Sequence, residues 1–158
     1  MGARTEGRSD DKIVASNRKA RHDYGILETF ECGIQLTGSE VKSLRMGQAS
    51  LVDCYARFRS GELWLEGMHI PPYEQGDTRA HQPLRPRKLL LHKRQLAALE
   101  REVTEKSLVL VPLRVYFAHG VAKVELATGR GKRQHEKRQA IAKRDAQREA
   151  ERELGRRR

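Results

Sequence analysis

The chain has 158 residues, of which 37% are hydrophobic, 34% charged and only 5% aromatic. Its net charge of +11 is uneven: residues 129–158 hold 12 Lys/Arg against 5 Asp/Glu, whereas residues 1–128 hold 20 against 16. This suits one modest domain with a basic arm. No stretch approaches the roughly 20 apolar residues of a membrane span, and the polar start MGARTEGRSDDK has no signal-peptide run, so a cytoplasmic setting is expected.

Residues 1–12 are polar and expected to be disordered. YGILETFECGIQL (24–36) is rich in strand formers, with Gly33 suggesting a bulge or bend. GSEVKSLRMG (38–47) reads as a short helix capped by Ser39, with Val41 and Leu44 on one face and Gly47 at its end. DCYARFR (53–59) and ELWLEGMHI (62–70) form a hairpin around Ser60-Gly61, with Ala56 and Phe58 opposite Tyr55, Arg57 and Arg59.

Residues 71–87 hold four of the five prolines and read as a long surface loop. LLLHKRQLAALEREVTEK (89–106) is helical, with Leu96, Leu99 and Val103 on one face. LVLVPLRVYF (108–117) and VAKVELA (121–127) alternate around a turn at His119-Gly120, and Pro112 belongs at an edge or bulge. Hairpins interrupted by one short and one longer helix favour a small barrel of the OB type, mainly β with flanking helices. A generic α+β sheet gives similar signals.

Catalytic motifs are not apparent. The six histidines show no i, i+4 pair, and there is no G-x-S-x-G, P-loop or strand-linked G-x-G-x-x-G. Cys32 and Cys54 form no Cys-x-x-Cys pattern and read as small core residues. Three basic stretches stand out instead: NRKARHDY (17–24), RPRKLLLHKR (85–94) and the tail. Their Lys and Arg suit phosphates, and Tyr24, His22 and His135 suit unpaired bases. Each stretch alone is equally a solvated surface; three beside a barrel favour a nucleic-acid partner over a membrane. The tail has helix propensity but only a thin alanine-rich stripe, so it is expected to be disordered when free and helical on a polyanion.

ASNRKARHDYGI, FECGIQLTGSEVKSLRMG, RKLLLHKRQLAAL and GRGKRQHEKR together resemble the SsrA-binding protein family, the small protein B that partners tmRNA in bacteria. The likeness runs from about Ile13 to the C-terminus. It implies a barrel domain over 13–128, a tail over 129–158, no catalysis, and no cofactor or metal. It also implies binding to the tRNA-like domain of tmRNA, delivery with elongation factor Tu to stalled ribosomes, and insertion of the tail into the empty mRNA channel by a monomer. Carried over onto matching positions, the resemblance points to Asn17, Arg18, Arg21, His22, Glu31, Leu90 and Lys123 for tmRNA. Lys132, Arg133, His135, Lys137 and Arg138 would face the ribosome, with Gly129 and Gly131 as a hinge. Leu90 is equally readable as core, and Glu31 is unexpected against phosphate. The alternatives are a ribosome- or tRNA-binding OB protein without tmRNA preference, an RNA-processing or peptidyl-release enzyme, and a structural basic protein. Selectivity separates them.

Overall fold

The structure is a computed structural model that describes residues 12–73, 81–131 and 134–156. In chain order the elements are β1 (Lys12–Ser16), α1 (Arg18–Asp23), β2 (Tyr24–Ile34), α2 (Gly38–Arg45), β3 (Tyr55–Arg59), β4 (Glu62–Glu66), β5 (Arg87–Leu90), α3 (Lys93–Lys106), β6 (Val109–Ala118), β7 (Val121–Gly131) and α4 (Gln134–Arg156). Every strand pair is antiparallel, in the order β1-β6-β3-β4-β5-β2-β7, and a further β6–β7 pairing closes six of the strands into a barrel. Closure runs through short pairings, Gly33–Ile34 with Leu89–Leu90 and Ala56 with Leu110, so the first part of β2 is paired by β7 alone, while β1 covers the outer half of β6 along Arg114–Phe117.

Strand alternation fills the barrel. Cys32, Ile34, Ala56, Leu63, Leu65, Leu89, Leu110, Val115, Val124 and Leu126 point inward as one cluster. Cys32 and Cys54 are buried free thiols, pushed up to about 12 by burial, as expected of core residues. Both expected hairpins form, and each turn carries two positive-φ residues, Ser60-Gly61 and His119-Gly120, which match the right-handed strand twist. Pro112 does sit at a bulge. The register shifts between Pro112 and Arg114, so Val111 and Leu113 pack in an outer cluster with Ala20 and Ala127 while Val115 returns to the core. Strict alternation from Leu113 would have placed Arg114 inside and Val115 outside. The bulge turns Arg114 outward.

Several expectations are corrected. Lys12, at the end of the segment expected to be disordered, belongs to β1, while residues 1–11 lie outside the described residues; the basic stretch 17–24 folds mainly as α1. The cap of α2 is Thr37, in a capping box with Glu40; Ser39 instead meets His81 Nδ1 at 2.8 Å. Because His81 Nε2 donates to the Ile70 carbonyl at 2.8 Å, Nδ1 is left to accept from the Ser39 hydroxyl. Gly33 is not bulged, since β2 shifts register between Ile26 and Glu28. Residues 87–90 form β5, so the helix starts at Lys93 and shows Leu96, Leu99 and Val103 to the core. The apolar triplet Leu89-Leu90-Leu91 fits either element, and pairing with β2 and β4 decides it. The expected hinge glycines lie in β7, where a Cβ on Gly129 would come within 3.0 Å of the Gly25 carbonyl oxygen. The proline-rich loop ends in a buried anchor: Arg87 binds Glu40 through Nε and donates to the Met68 carbonyl at 2.7 Å and the Pro83 carbonyl at 3.1 Å.

Candidate nucleic-acid interface

The outer face of β2 and β7 carries Glu31 and Lys123, with Leu90 on the adjoining β5 and the other expected RNA-facing residues of the barrel domain on α1 and its cap. Pairing sets two adjacent rows across β6, β7 and β2. One runs Arg114–Glu125–Glu31, and the other runs Tyr116–Lys123–Gly33 and continues to Leu90 on β5. Residues two apart on one strand share a face, so Glu31 and Gly33, like Lys123 and Glu125, point outward while Cys32 and Val124 point into the core. Leu90 is 48% exposed, which places it on the surface rather than in the core. It lies against Gly33, where an added Cβ would approach Leu90 Cβ to 3.2 Å.

Helix α1 borders this face. Asn17 caps it by accepting from the Ala20 amide at 3.2 Å. The Asn17 side chain also donates to the Pro112 carbonyl at 3.1 Å, and its backbone amide donates to the Leu113 carbonyl at 2.7 Å. Asn17 thus fixes the helix on the β6 bulge, and its amide group is committed at both ends. Ala20 is buried against Val111, Leu113 and Ala127, leaving Arg18, Arg21 and His22 exposed. His22 Nδ1 lies 3.2 Å from Asp23. Arg21 Nη2 reaches Glu125 at 3.8 Å, and Arg114 Nε holds the other Glu125 oxygen at 2.7 Å. The Arg114 guanidinium lies 4.6 Å from the centre of the Tyr116 ring, and the Tyr116 hydroxyl donates to Glu31. Burial, followed by the Glu31 carboxylate beside it, pushes the Tyr116 hydroxyl well above its ordinary pKa, so it remains a donor.

The face is therefore a mosaic. Arg21 and Lys123 offer cations for phosphate, Leu90 and Gly33 offer a flat apolar spot for a base or sugar, and Glu31 offers an acceptor. This chemistry suits a structured RNA better than uniform phosphate. In the tail, Lys132 and Arg133 lie outside the described residues; His135, Lys137 and Arg138 fall within α4, and their side chains are likewise outside what is described. From Lys143 to Gly155, α4 is exposed on all sides.

The SmpB protein family model matches residues 14–156. The chain belongs to the SmpB family. Among curated SmpB relatives, the SsrA-binding protein of Acidothermus cellulolyticus is 59% identical over 155 residues, covering 98% of this chain and 96% of that protein. The SsrA-binding protein of Mycobacterium leprae is 59% identical over 150 residues, covering 95% and 94%. A solved chain described as "tmRNA-SmpB: a journey to the center of the bacterial ribosome" aligns with a TM-score of 0.64 at 51% identity, over 80% of this chain and 92% of its own.

Within this SmpB barrel, Arg114, Tyr116, Glu125 and Gly33 were missed as members of the face. Their signal was available in part, because Arg114 and Tyr116 break the apolar run of β6, and Lys123 and Glu125 are polar every second residue in β7. What could not be read was the bulge, which decides where Arg114 points. Among the described residues, no helix is long and apolar enough to cross a membrane.

Proposed function

We propose that this chain is the RNA-binding partner of trans-translation: it binds the tRNA-like domain of tmRNA and brings it to stalled ribosomes. The observation that carries this reading is the convergence of Arg21, Glu31, Leu90 and Lys123 on one outer face, in a chain of the SmpB family. Arg21 and Lys123 set the orientation through phosphates, while Glu31 and the Leu90–Gly33 spot discriminate. The protein acts as a cytoplasmic monomer without catalysis of its own, and elongation factor Tu joins through the RNA. Helix α4, Gln134–Arg156, is read as the form that the tail takes in the vacant mRNA channel, and the free tail as unstructured; in the channel Lys132, Arg133, Lys137 and Arg138 meet ribosomal RNA and His135 stacks on a base. The solvent exposure of α4 beyond Lys143 supports this division, since nothing there is shaped to dock on a core.

A competition assay tests the proposal. Full-length protein and a truncation ending at Gly131 are titrated against the tRNA-like domain with bulk tRNA as competitor at physiological salt. The cut follows Gly131 because β7 pairs with β2 that far. Both forms should prefer the tRNA-like domain by the same factor. Equal binding of bulk tRNA would favour a general tRNA- or rRNA-binding barrel, and preference lost with the tail would reverse the roles of the two regions.

A further inference from the structure

We infer that Tyr116 is a positioning residue for RNA recognition: its hydroxyl holds one oxygen of the Glu31 carboxylate, so that the other is presented to an N–H or O–H donor of the RNA. The inference deepens the proposed function and rests on it.

Glu31 is an unusual carboxylate for so basic a chain. Among the described residues, no Lys, Arg or His nitrogen lies within 4.0 Å of it in an ion pair, although Arg114 and Lys123 stand in the same two rows. Both nearby arginines, Arg21 and Arg114, are drawn to Glu125 instead. Glu31 accepts one hydrogen bond, at Oε2 from Tyr116. Its partner in the protein is thus a neutral hydroxyl and not a cation. The arrangement around Tyr116 explains how its geometry is kept. The residue is fully buried, its ring is covered by the Arg114 guanidinium, and that guanidinium is fixed by Glu125 at 2.7 Å. A buried ring has one place for its hydroxyl, so Oε2 is pinned while Oε1 has no partner among the described residues.

An unpaired carboxylate oxygen repels phosphate and accepts from donors. RNA offers such donors only as base amino or imino groups and the ribose 2′-hydroxyl. Lys123 and Arg21 draw the backbone to the face, and Glu31 admits only a register that brings a donor to Oε1. Discrimination of this kind depends on a fixed acceptor. A free Glu31 side chain would rotate away and forfeit it.

The test is a double-mutant cycle on binding of the labelled tRNA-like domain, with thermal unfolding of each variant alongside. Tyr116→Phe removes the hydroxyl and should weaken binding about tenfold, as should Glu31→Ala, the scale expected for a hydrogen bond to a charged group. The double variant should be no weaker than Glu31→Ala alone, and the salt dependence for Tyr116→Phe should keep the wild-type slope because no phosphate contact is lost. Wild-type affinity for Tyr116→Phe, fully additive effects, or a reduced slope would overturn the positioning role while leaving Glu31 as an RNA contact. Wild-type affinity for Glu31→Ala would overturn that contact, and the inference with it.

Glu31→Gln keeps the test sharp even where Tyr116→Phe impairs folding. With its oxygen held by Tyr116, the amide presents N–H to the RNA donor, so binding should weaken as much as for Glu31→Ala although a negative charge has been removed. Tighter binding would show that Glu31 acts only by repulsion and would overturn the inference. Repeating the cycle with 2′-deoxy-substituted RNA separates the donors: coupling that persists assigns a base N–H, and coupling that disappears assigns the ribose, either in support.

Discussion

Glu40 and Glu125 are each gripped by two arginines, and the surroundings give the two clusters different work. Glu40, at the start of α2, and Arg87 on β5 are fully buried, and Arg85 adds a second hand from the loop. The other Arg87 donors reach the Met68 and Pro83 carbonyls. Glu125 is also largely covered, yet Arg21 above it is 62% exposed and touches it at only 3.8 Å. One cluster turns the buried Arg87 wholly onto the protein; the other leaves an arginine facing water with its fork open. Burial, rather than residue type, separates a bolt from a binding group.

Breaking the bolt should have the largest effect. Glu40→Ala leaves the buried Arg87 without its carboxylate and should lower stability by about 3–5 kcal/mol in urea unfolding, whereas Arg87→Ala leaves Glu40 to Arg85 alone and should cost less. A loss below about 1 kcal/mol for Glu40→Ala would mean that water reaches the site and that the contrast with Glu125 is false. The joint replacement Glu40→Leu/Arg87→Met should recover part of the loss, because neither fully buried charge remains and Arg85, 34% exposed, can turn toward water.

Acid sharpens the same point. Burial alone would raise the Glu40 pKa, but the Thr37 amide and the two arginines outweigh it and hold the carboxyl below its ordinary 4.5. A carboxyl depressed in the folded state contributes fully above its unfolded value and loses that contribution as pH falls through the folded one. Urea midpoints should therefore decline below about pH 4.5 from this source, and Glu40→Gln should remove that part of the decline. A wild-type decline unchanged in Glu40→Gln would assign acid sensitivity to other carboxylates.

On the open side the expectations reverse. Arg21→Ala should change stability by less than about 0.5 kcal/mol, the scale of an exposed ion pair. Arg21→Ala and Lys123→Ala should each weaken binding of the tRNA-like domain and reduce the magnitude of the log–log salt slope by about 0.7–0.9, one phosphate contact each. An unaltered slope in both would remove the cationic part of the face.

The legible and illegible parts of this fold divide along the same line. Both hairpins were readable because period-2 alternation and positive-φ turns are local signals, as at His119-Gly120. The α3 face was readable because Leu96, Leu99 and Val103 recur at helical spacing. Strands β1 and β5 were not: each is five residues or fewer and exists through its partners. The Pro112 bulge was suspected, but its consequence for Arg114 depends on register with β7. Glu40–Arg87 was hidden for a different reason, since 47 residues separate the partners and nothing local marks a surface-type residue for burial. Of the candidate site, Arg21, Glu31, Leu90 and Lys123 came through the family resemblance, and it was pairing across four strands that showed why they belong together.

The smallest expected effect is the most local test of that pairing. Gly33 has ordinary extended backbone, so alanine costs nothing in conformation and reduces the freedom of the unfolded chain. Its new Cβ would meet Leu90 Cβ at 3.2 Å and Cδ1 at 3.5 Å; rotation of the leucine relieves the second, but the first needs β2 and β5 to give by a few tenths of an ångström. The two terms oppose, and Gly33→Ala should change stability by less than about 1 kcal/mol. RNA affinity should nevertheless fall severalfold with the salt slope unchanged, because what is lost is the flat apolar spot and not a phosphate contact. If Gly33→Ala binds as the wild type does while Lys123→Ala does not, the face ends at β7, and Leu90 is an exposed leucine with no part in recognition.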